Sequence, residues 1–168
     1  HAPPYRSPSF VANHGHRDMY AGLPKPTRVK SPLPHTYLDM TALPAIGVNL
    51  EALPADARGF AAIEIQDERD RQDIAAPEGV EIAWLVNPEP GQRPAMLVDA
   101  LRSAARPEGS LAAWAACEFS AMKRLREYLR GELALAPADL YLSSYWKHGM
   151  IEDEHKLAKQ QDAAAQPA

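Results

Sequence analysis

The stretch Ser110–Gly131, SLAAWAACEFSAMKRLREYLRG, joins two patterns that belong to different kinds of secondary structure. Its first eight residues are a short apolar run, which predicts a strand with little contact with water. In the rest of the stretch Met122, Leu125 and Leu129 recur at helical spacing, and the closing glycine is a plausible helix stop. A strand that leads directly into an amphipathic helix is typical of the crossover units of a parallel sheet.

The same alternation of strand and helix patterns extends over most of the chain. Four more runs have strand character: HTYL before Asp39, FAAIEIQD (60–67), VEIAWLV (80–86) and LYLSSYW (140–146). With the run in 110–117 they make five strands. The pattern therefore predicts an α/β fold, with an open, mainly parallel five-stranded sheet flanked by helices.

Three further helices are predicted between and after these strands. TALPAIGVNLEAL (41–53) places Leu43, Ile46, Leu50 and Leu53 on one face, with Thr41 as a plausible N-cap and Pro54 as the stop. PAMLVDALRSA (94–104) has apolar residues at helical spacing, and MIEDEHKLAKQ (150–160) has acids in its first turn, where the helix dipole favours them.

The ends of the chain differ from its middle in composition and in the periodicity of apolar residues. Residues 1–35 are rich in proline and show no periodicity, which predicts a loop or tether. Residues 36–157 carry the alternating pattern and are predicted to form one domain. Residues 158–168 are predicted to be a flexible tail.

Composition excludes several classes of function. The 168 residues are 46% hydrophobic with a formal net charge of −4 and no long basic run, which argues against nucleic acid as a partner. No apolar stretch approaches the roughly twenty residues of a membrane helix, and the start has no signal pattern. The single Cys117 fits a reducing compartment. We therefore expect a soluble, cytoplasmic protein.

Open parallel sheets bind ligands beyond the carboxyl ends of their strands. Four segments are expected there: 39–41, 67–71, 117–120 and 146–149. We treat these segments as the candidate site.

Three blocks of the sequence resemble a known family. DMTALPAI (39–46), WAACEFSAMKRLREYLR (114–130) and SSYWKHGMIEDEH (143–155) occur in the order and spacing found in siderophore-interacting proteins, over roughly residues 36–157. The matching part is the C-terminal, nucleotide-binding half of these proteins, which are flavin-dependent ferric-siderophore reductases. The resemblance implies a ferredoxin-reductase-like NAD(P)-binding domain.

The resemblance also implies cofactors, a substrate and roles for particular residues. Electrons would pass from NAD(P)H through FAD to iron held in a ferric siderophore, and reduction would weaken the oxygen ligands' grip on the metal. No catalytic residue is assigned. The residues expected at the cofactor are Asp39, Thr41, Ala42, Cys117, Glu118, Tyr145 and Trp146. Lys147 and His148 are expected to bind the anionic siderophore.

Each of these assignments has a structural alternative. Thr41 could simply cap a helix, and Cys117 could be a small buried hydrophobic residue. Tyr145 and Trp146 could fill the core at the sheet end or stack on a cofactor ring. In QDERDRQD (66–73) the arginines could hold a 2′-phosphate or the acids a ribose, but a solvated charged turn is favoured.

The family's flavin half is an antiparallel barrel with an arginine-aromatic-threonine motif, and that motif is absent here; HAPPYRSPSFVA only faintly resembles the barrel's opening. Two classes of function therefore stay open: a ferric-siderophore reductase, and a flavin-free nucleotide-binding or interaction module. No metal site is predicted, because His14, His16 and Asp18 have no complementary ligand cluster, and Glu152 and His155 lack the partners that a di-iron bundle requires.

Overall fold

A computed structural model describes the backbone of residues 34–39 and, in full, residues 42–105 and 111–166. Five strands form one sheet: β1 (Pro34–Asp39), β2 (Arg58–Ile65), β3 (Gly79–Val86), β4 (Ala112–Glu118) and β5 (Leu140–Trp146). Their spatial order is β3-β2-β1-β4-β5, and every neighbouring pair is parallel. The predicted α/β fold with parallel strands is confirmed.

The strand order places a reversal of winding at the centre of the sheet. From β1 the chain moves outward through β2 to β3, then returns to add β4 and β5 on the other side of β1. Open parallel sheets bind their ligands at such a reversal, beyond the carboxyl ends of the two strands that flank it, here β1 and β4.

Four α-helices cover the two faces of the sheet: α1 (Leu43–Glu51), α2 (Met96–Ser103), α3 (Phe119–Arg126) and α4 (Glu152–Ala164). Helix α1 packs Leu43, Ile46 and Leu50 against one face. Helices α2 and α3 pack against the other face. The helix positions predicted from apolar spacing are confirmed for the buried side chains of α1, α2 and α3.

Small side chains in β4 allow helices to approach the sheet closely. Ala113, Ala115 and Cys117 face α2 and α3, and Ala116 faces α1, all of them buried. Because alanine adds only a methyl group to the strand, the larger helix side chains supply most of the volume that fills each layer. The alanine-rich run of the sequence therefore contributes to the hydrophobic clusters on both faces of the sheet.

The connection from β2 to β3 has no α-helix. A 3-10 helix (Glu68–Asp70) is followed by extended chain. Ile74 and Ala76 of this segment pack on the hydrophobic cluster that contains α1. Extended chain, and not a helix, therefore covers this part of the sheet.

Helix α3 continues as a π-helix over Glu127–Glu132, which ends one residue past the stop predicted at Gly131. The sequence did not predict the π-helical form of this last turn. The amide of Leu133 donates to the carbonyl oxygen of Tyr128 at 3.0 Å, five residues earlier. Two residues past its end, Ala134 adopts a left-handed φ of 54°. The buried Leu129 and Leu135, joined by a hydrogen bond between their backbones, anchor this segment to the core.

Two predicted boundaries also shift. Ala42, not Thr41, holds the N-cap position of α1, without a side-chain bond, and Thr41 lies outside the described residues. The predicted tail over 158–168 is helical as far as Ala164, because Asp162 forms an ion pair with Arg126 at 2.8 Å and ties α4 to α3.

The first 33 residues, including His14, His16 and Asp18, lie outside the description. Among the described helices, none has the length and apolar character needed to cross a membrane.

Leu125 tests the core on the α3 side of the sheet. It is fully buried, so Leu125→Ala should lower the free energy of unfolding by about 2–5 kcal/mol, measured by urea denaturation. Val48 on α1 is 60% exposed, and Val48→Ala should change this free energy by no more than about 0.5 kcal/mol. Equal effects of the two substitutions would contradict this packing.

Candidate functional site

The carboxyl edge of the sheet brings together the ends of β1 and β4, where the winding reverses. Asp39 ends β1 and lies in register with Glu64 of β2. Cys117 and Glu118 end β4, and Trp146 ends the neighbouring β5. Sequence reasoning correctly expected these strand ends to share one edge, and this edge is the candidate site.

Glu118 holds several pieces of this edge together. Its side chain is buried, and one carboxylate oxygen accepts hydrogen bonds from the amides of Ser120 at 2.5 Å and Ala121 at 3.1 Å, which caps α3. The other oxygen accepts from the amide of His148 at 3.2 Å. Both oxygens are therefore engaged in fixing the start of α3 and the turn after β5.

Lys147 presents a cation beside the end of β4. Its Nζ lies 4.8 Å from the centre of the Phe119 ring, the first residue of α3, in cation–π geometry. The residue is half-buried, so its ammonium group is held at the edge of the sheet rather than extended into water. A fixed positive charge at this position suits an anionic ligand.

His148 contacts the loop that follows β3, the strand at the far edge of the sheet. Its Nε2 lies 3.2 Å from Nε2 of Gln92, and its Cβ lies only 2.8 Å from where a Cβ on Gly91 would be. Gly91 also has a φ of +81°, which favours glycine. The loops after the two outermost strands therefore meet above the carboxyl edge.

A buried Ser144–His155 pair lies behind this turn, and sequence reasoning did not single it out. Ser144 Oγ lies 2.6 Å from His155 Nε2, and the imidazole meets the Phe119 ring edge-on with centroids 6.2 Å apart. Burial is the main cause that lowers the pKa of His155, and the nearby positive charge of Lys159 lowers it further. The pair joins α4 to the last strand.

Glu64 and Asn87 form a second buried polar pair that sequence reasoning missed. Asn87 Nδ2 donates to Glu64 Oε1 at 2.6 Å, and both residues are buried. Strand alternation was the available signal, since it turns Glu64 to the same face as the buried Phe60 and Ala62.

The remaining predicted site residues lie as follows. Ala42 is buried at the start of α1, and Cys117 is fully buried. Tyr145 is 38% exposed, and Trp146 is half-buried. Only the backbone of Asp39 is described, and Thr41 is outside the description.

The loop after β2 pairs its charges internally. Arg69 Nε lies 2.8 Å from Asp67 Oδ1, and Arg71 pairs with Glu68. The hydrogen bond from the Arg69 side chain is the main cause that lowers the pKa of Asp67 to about 2. This arrangement matches the solvated charged turn that the sequence favoured. Among the residues that the structure covers, no three His, Cys, Asp or Glu side chains cluster as metal ligands.

Comparison with known proteins adds the following findings. A family model described as siderophore-interacting protein matches residues 35–149. The ferric vibriobactin reductase ViuB of Vibrio cholerae is 36% identical over 119 residues, which cover 70% of this chain and 44% of that protein.

Two solved structures are similar in fold and sequence. The siderophore-interacting protein SipS from Aeromonas hydrophila has a TM-score of 0.73 and 30% identity, covering 80% of this chain and 54% of its own. A siderophore utilization protein from T. fusca has a TM-score of 0.66 and 34% identity, covering 71% of this chain and 46% of its own. The chain thus spans about half the length of these proteins.

His155 makes the stability of the protein depend on pH. Its folded-state pKa lies below the usual 6.5, so the unfolded chain binds more protons as the pH falls below neutrality. The stability that the neutral His155 contributes is therefore fully present above pH 6.5 and is lost as the pH falls toward the folded pKa. The urea midpoint of the wild type should drop between pH 7 and pH 5, and His155→Gln should reduce that drop.

His148→Gln, at an exposed position, is the matched control and should show the same drop as the wild type. An unchanged drop in His155→Gln would refute this assignment.

Proposed function

Because the chain belongs to the siderophore-interacting protein family, we propose that it contributes the nucleotide-binding part of a ferric-siderophore reductase. In this proposal electrons pass from NAD(P)H via FAD to iron held in a ferric siderophore, and Fe(II) is released for use in the cytoplasm. The observation that carries the proposal is the reversal of winding between β1 and β4, which puts the start of α1 and the end of β4 at one crevice.

The start of α1 is the proposed binding position for the pyrophosphate. Ala42 occupies the N-cap position without a side-chain bond, so the first amides of the helix have no side-chain acceptor there. Pro44 has no amide hydrogen, which leaves Leu43 and Ala45 as the backbone donors of the first turn. These residues fit an anionic group, and Thr41 belongs to the same proposed contact, whereas Asp39 is a proposed contact for an uncharged part of the cofactor.

The end of β4 is the proposed support for the nicotinamide ring. Cys117 and Glu118 are rigidly held there, and the aromatic pair Tyr145 and Trp146 lies at the end of the next strand. NAD(P)H, when bound, supplies the hydride. The residues of the chain fix the ring's position, and Glu118 acts only through the segments that it holds together.

Lys147 and His148 are the proposed contacts for the siderophore. An anionic ferric complex would be attracted to the ammonium group that Phe119 holds at the edge. The Glu118 bond to the His148 amide fixes the turn that carries both side chains. The proposal thus places the cofactor and the substrate on adjacent strand ends.

The described residues form a sheet and its covering helices but no barrel, so the reductase proposal requires parts of the protein outside these residues to hold FAD. The alternative is therefore a flavin-free module that binds a nucleotide or a partner and has no reductase activity. The coverage of about half of each relative keeps this alternative open.

An absorption scan distinguishes the reductase from the flavin-free module. It is recorded on the purified protein alone, and again after incubation with FAD and removal of the excess. Bands near 450 nm that bleach when NADPH is added under argon are the expected result. A protein that binds NADPH, retains no flavin and does not reduce added FAD with NADPH would support the module instead.

Charge reversal at Lys147 tests the substrate contact. With ferric vibriobactin as substrate, Lys147→Glu should raise KM about three- to tenfold, because an attractive charge becomes repulsive, while kcat changes less. Arg124→Glu makes the same change in net charge at an exposed position on α3 and should leave KM unchanged. Equal effects of the two variants would remove Lys147 from the site.

A further inference from the structure

A groove with a volume of about 390 Å³ runs along the outer side of the sheet, between α3, β5 and α4. We call it the edge groove, and define it by Met122, Arg126, Arg130, Leu142, Lys159 and Asp162. It extends toward the amino end of β5, where Pro137 and Leu140 line it. It is therefore separate from the crevice between β1 and β4.

The charge of the edge groove is opposite to that of the chain. Its lining contains three cationic side chains and one acid, although the chain has a formal net charge of −4. Basic residues that gather in a concave surface of an acidic protein raise the local concentration of anions.

One of the three cations is neutralised inside the protein. Arg126 forms an ion pair with Asp162 at 2.8 Å, and the two side chains are only 17% and 15% exposed. This ion pair joins α3 to α4 at the groove. The net positive charge of the groove therefore comes from Arg130 and Lys159.

Arg130 and Lys159 retain donors for a ligand. Lys159 Nζ donates to the backbone oxygen of Ser144 at 2.9 Å, which orients it and leaves two of its three N–H groups. Arg130 has one long contact, 3.5 Å to the side-chain oxygen of Gln166, from a guanidinium with five donors. Both residues are exposed at the groove.

Arg130 lies in the π-helix Glu127–Glu132. A π-helix adds a residue to the turn and so changes the direction of the side chains that follow, and such segments are rare and are found frequently at functional sites. Here the irregular turn keeps Leu129 buried while Arg130 lines the groove. This is an observation independent of the charge.

The floor of the groove is partly apolar. Met122, Leu140 and Leu142 line it, on the face of the sheet that α3 covers. An inorganic ion would leave this apolar surface uncovered. We propose that the edge groove binds a small amphipathic anion, with its carboxylate or sulfonate group at Arg130 and Lys159 and its hydrophobic body on β5.

The test uses 8-anilino-1-naphthalenesulfonate, a fluorescent amphipathic anion, titrated into the full chain at low salt. Arg130→Gln and Lys159→Gln should each weaken its binding about three- to tenfold, and binding should weaken as salt is added. Asp162→Asn removes the only acid and should tighten binding. Arg124→Gln, the matched control on α3, should have no effect, and Arg130→Lys should retain most of the affinity.

The outcomes are distinct. Loss of affinity in the two groove variants with normal affinity in Arg124→Gln supports the assignment. No binding by the wild type, or equal affinity in all variants, overturns it, because the probe would then be elsewhere or absent. Equal weakening by Arg124→Gln also overturns it, since net charge alone would explain the effect. These readouts do not involve reductase activity, so they stand or fall separately from the proposed function.

Discussion

The buried carboxylate of Glu118 is the constraint on which the carboxyl edge depends. It ends β4, caps α3 and accepts the hydrogen bond that fixes the turn carrying Lys147 and His148. Hydrogen bonds to both of its oxygens offset the cost of burying this polar group, a cost that the same side chain would carry in full without these donors. Three segments distant in the sequence thus share one anchor, which connects the topology of the sheet to the position of the proposed substrate contact.

The rest of this edge follows the same physical rule. Glu64 with Asn87, and Ser144 with His155, are buried polar pairs at strand ends, and each is joined by a hydrogen bond. Hydrogen bonds in a medium of low polarity are directional, so they fix orientation more strictly than apolar packing does. The small alanine side chains of β4 allow the helices to pack close to the sheet. The polar pairs then fix the positions of the segments at its carboxyl edge.

The sequence predicted the parts of the fold that depend on local pattern. Apolar runs located the strands, and the spacing of Met122, Leu125 and Leu129 located the buried face of α3. It could not predict the π-helix, because the wider turn depends on the tertiary packing of Leu129 and Leu135 and leaves no signal in the apolar spacing. The ion pair that extends α4 and the double role of Glu118 also depend on partners far along the chain.

The contact between Gly91 and His148 has a mechanical consequence. It joins the loops that follow β3 and β5, the two outermost strands. The two edges of the sheet are therefore connected through these loops as well as through the strands between them. Any separation of the two edges would break this contact and the hydrogen bond between Gln92 and His148. The open sheet therefore has one link between its outermost strands that does not run through the strands between them.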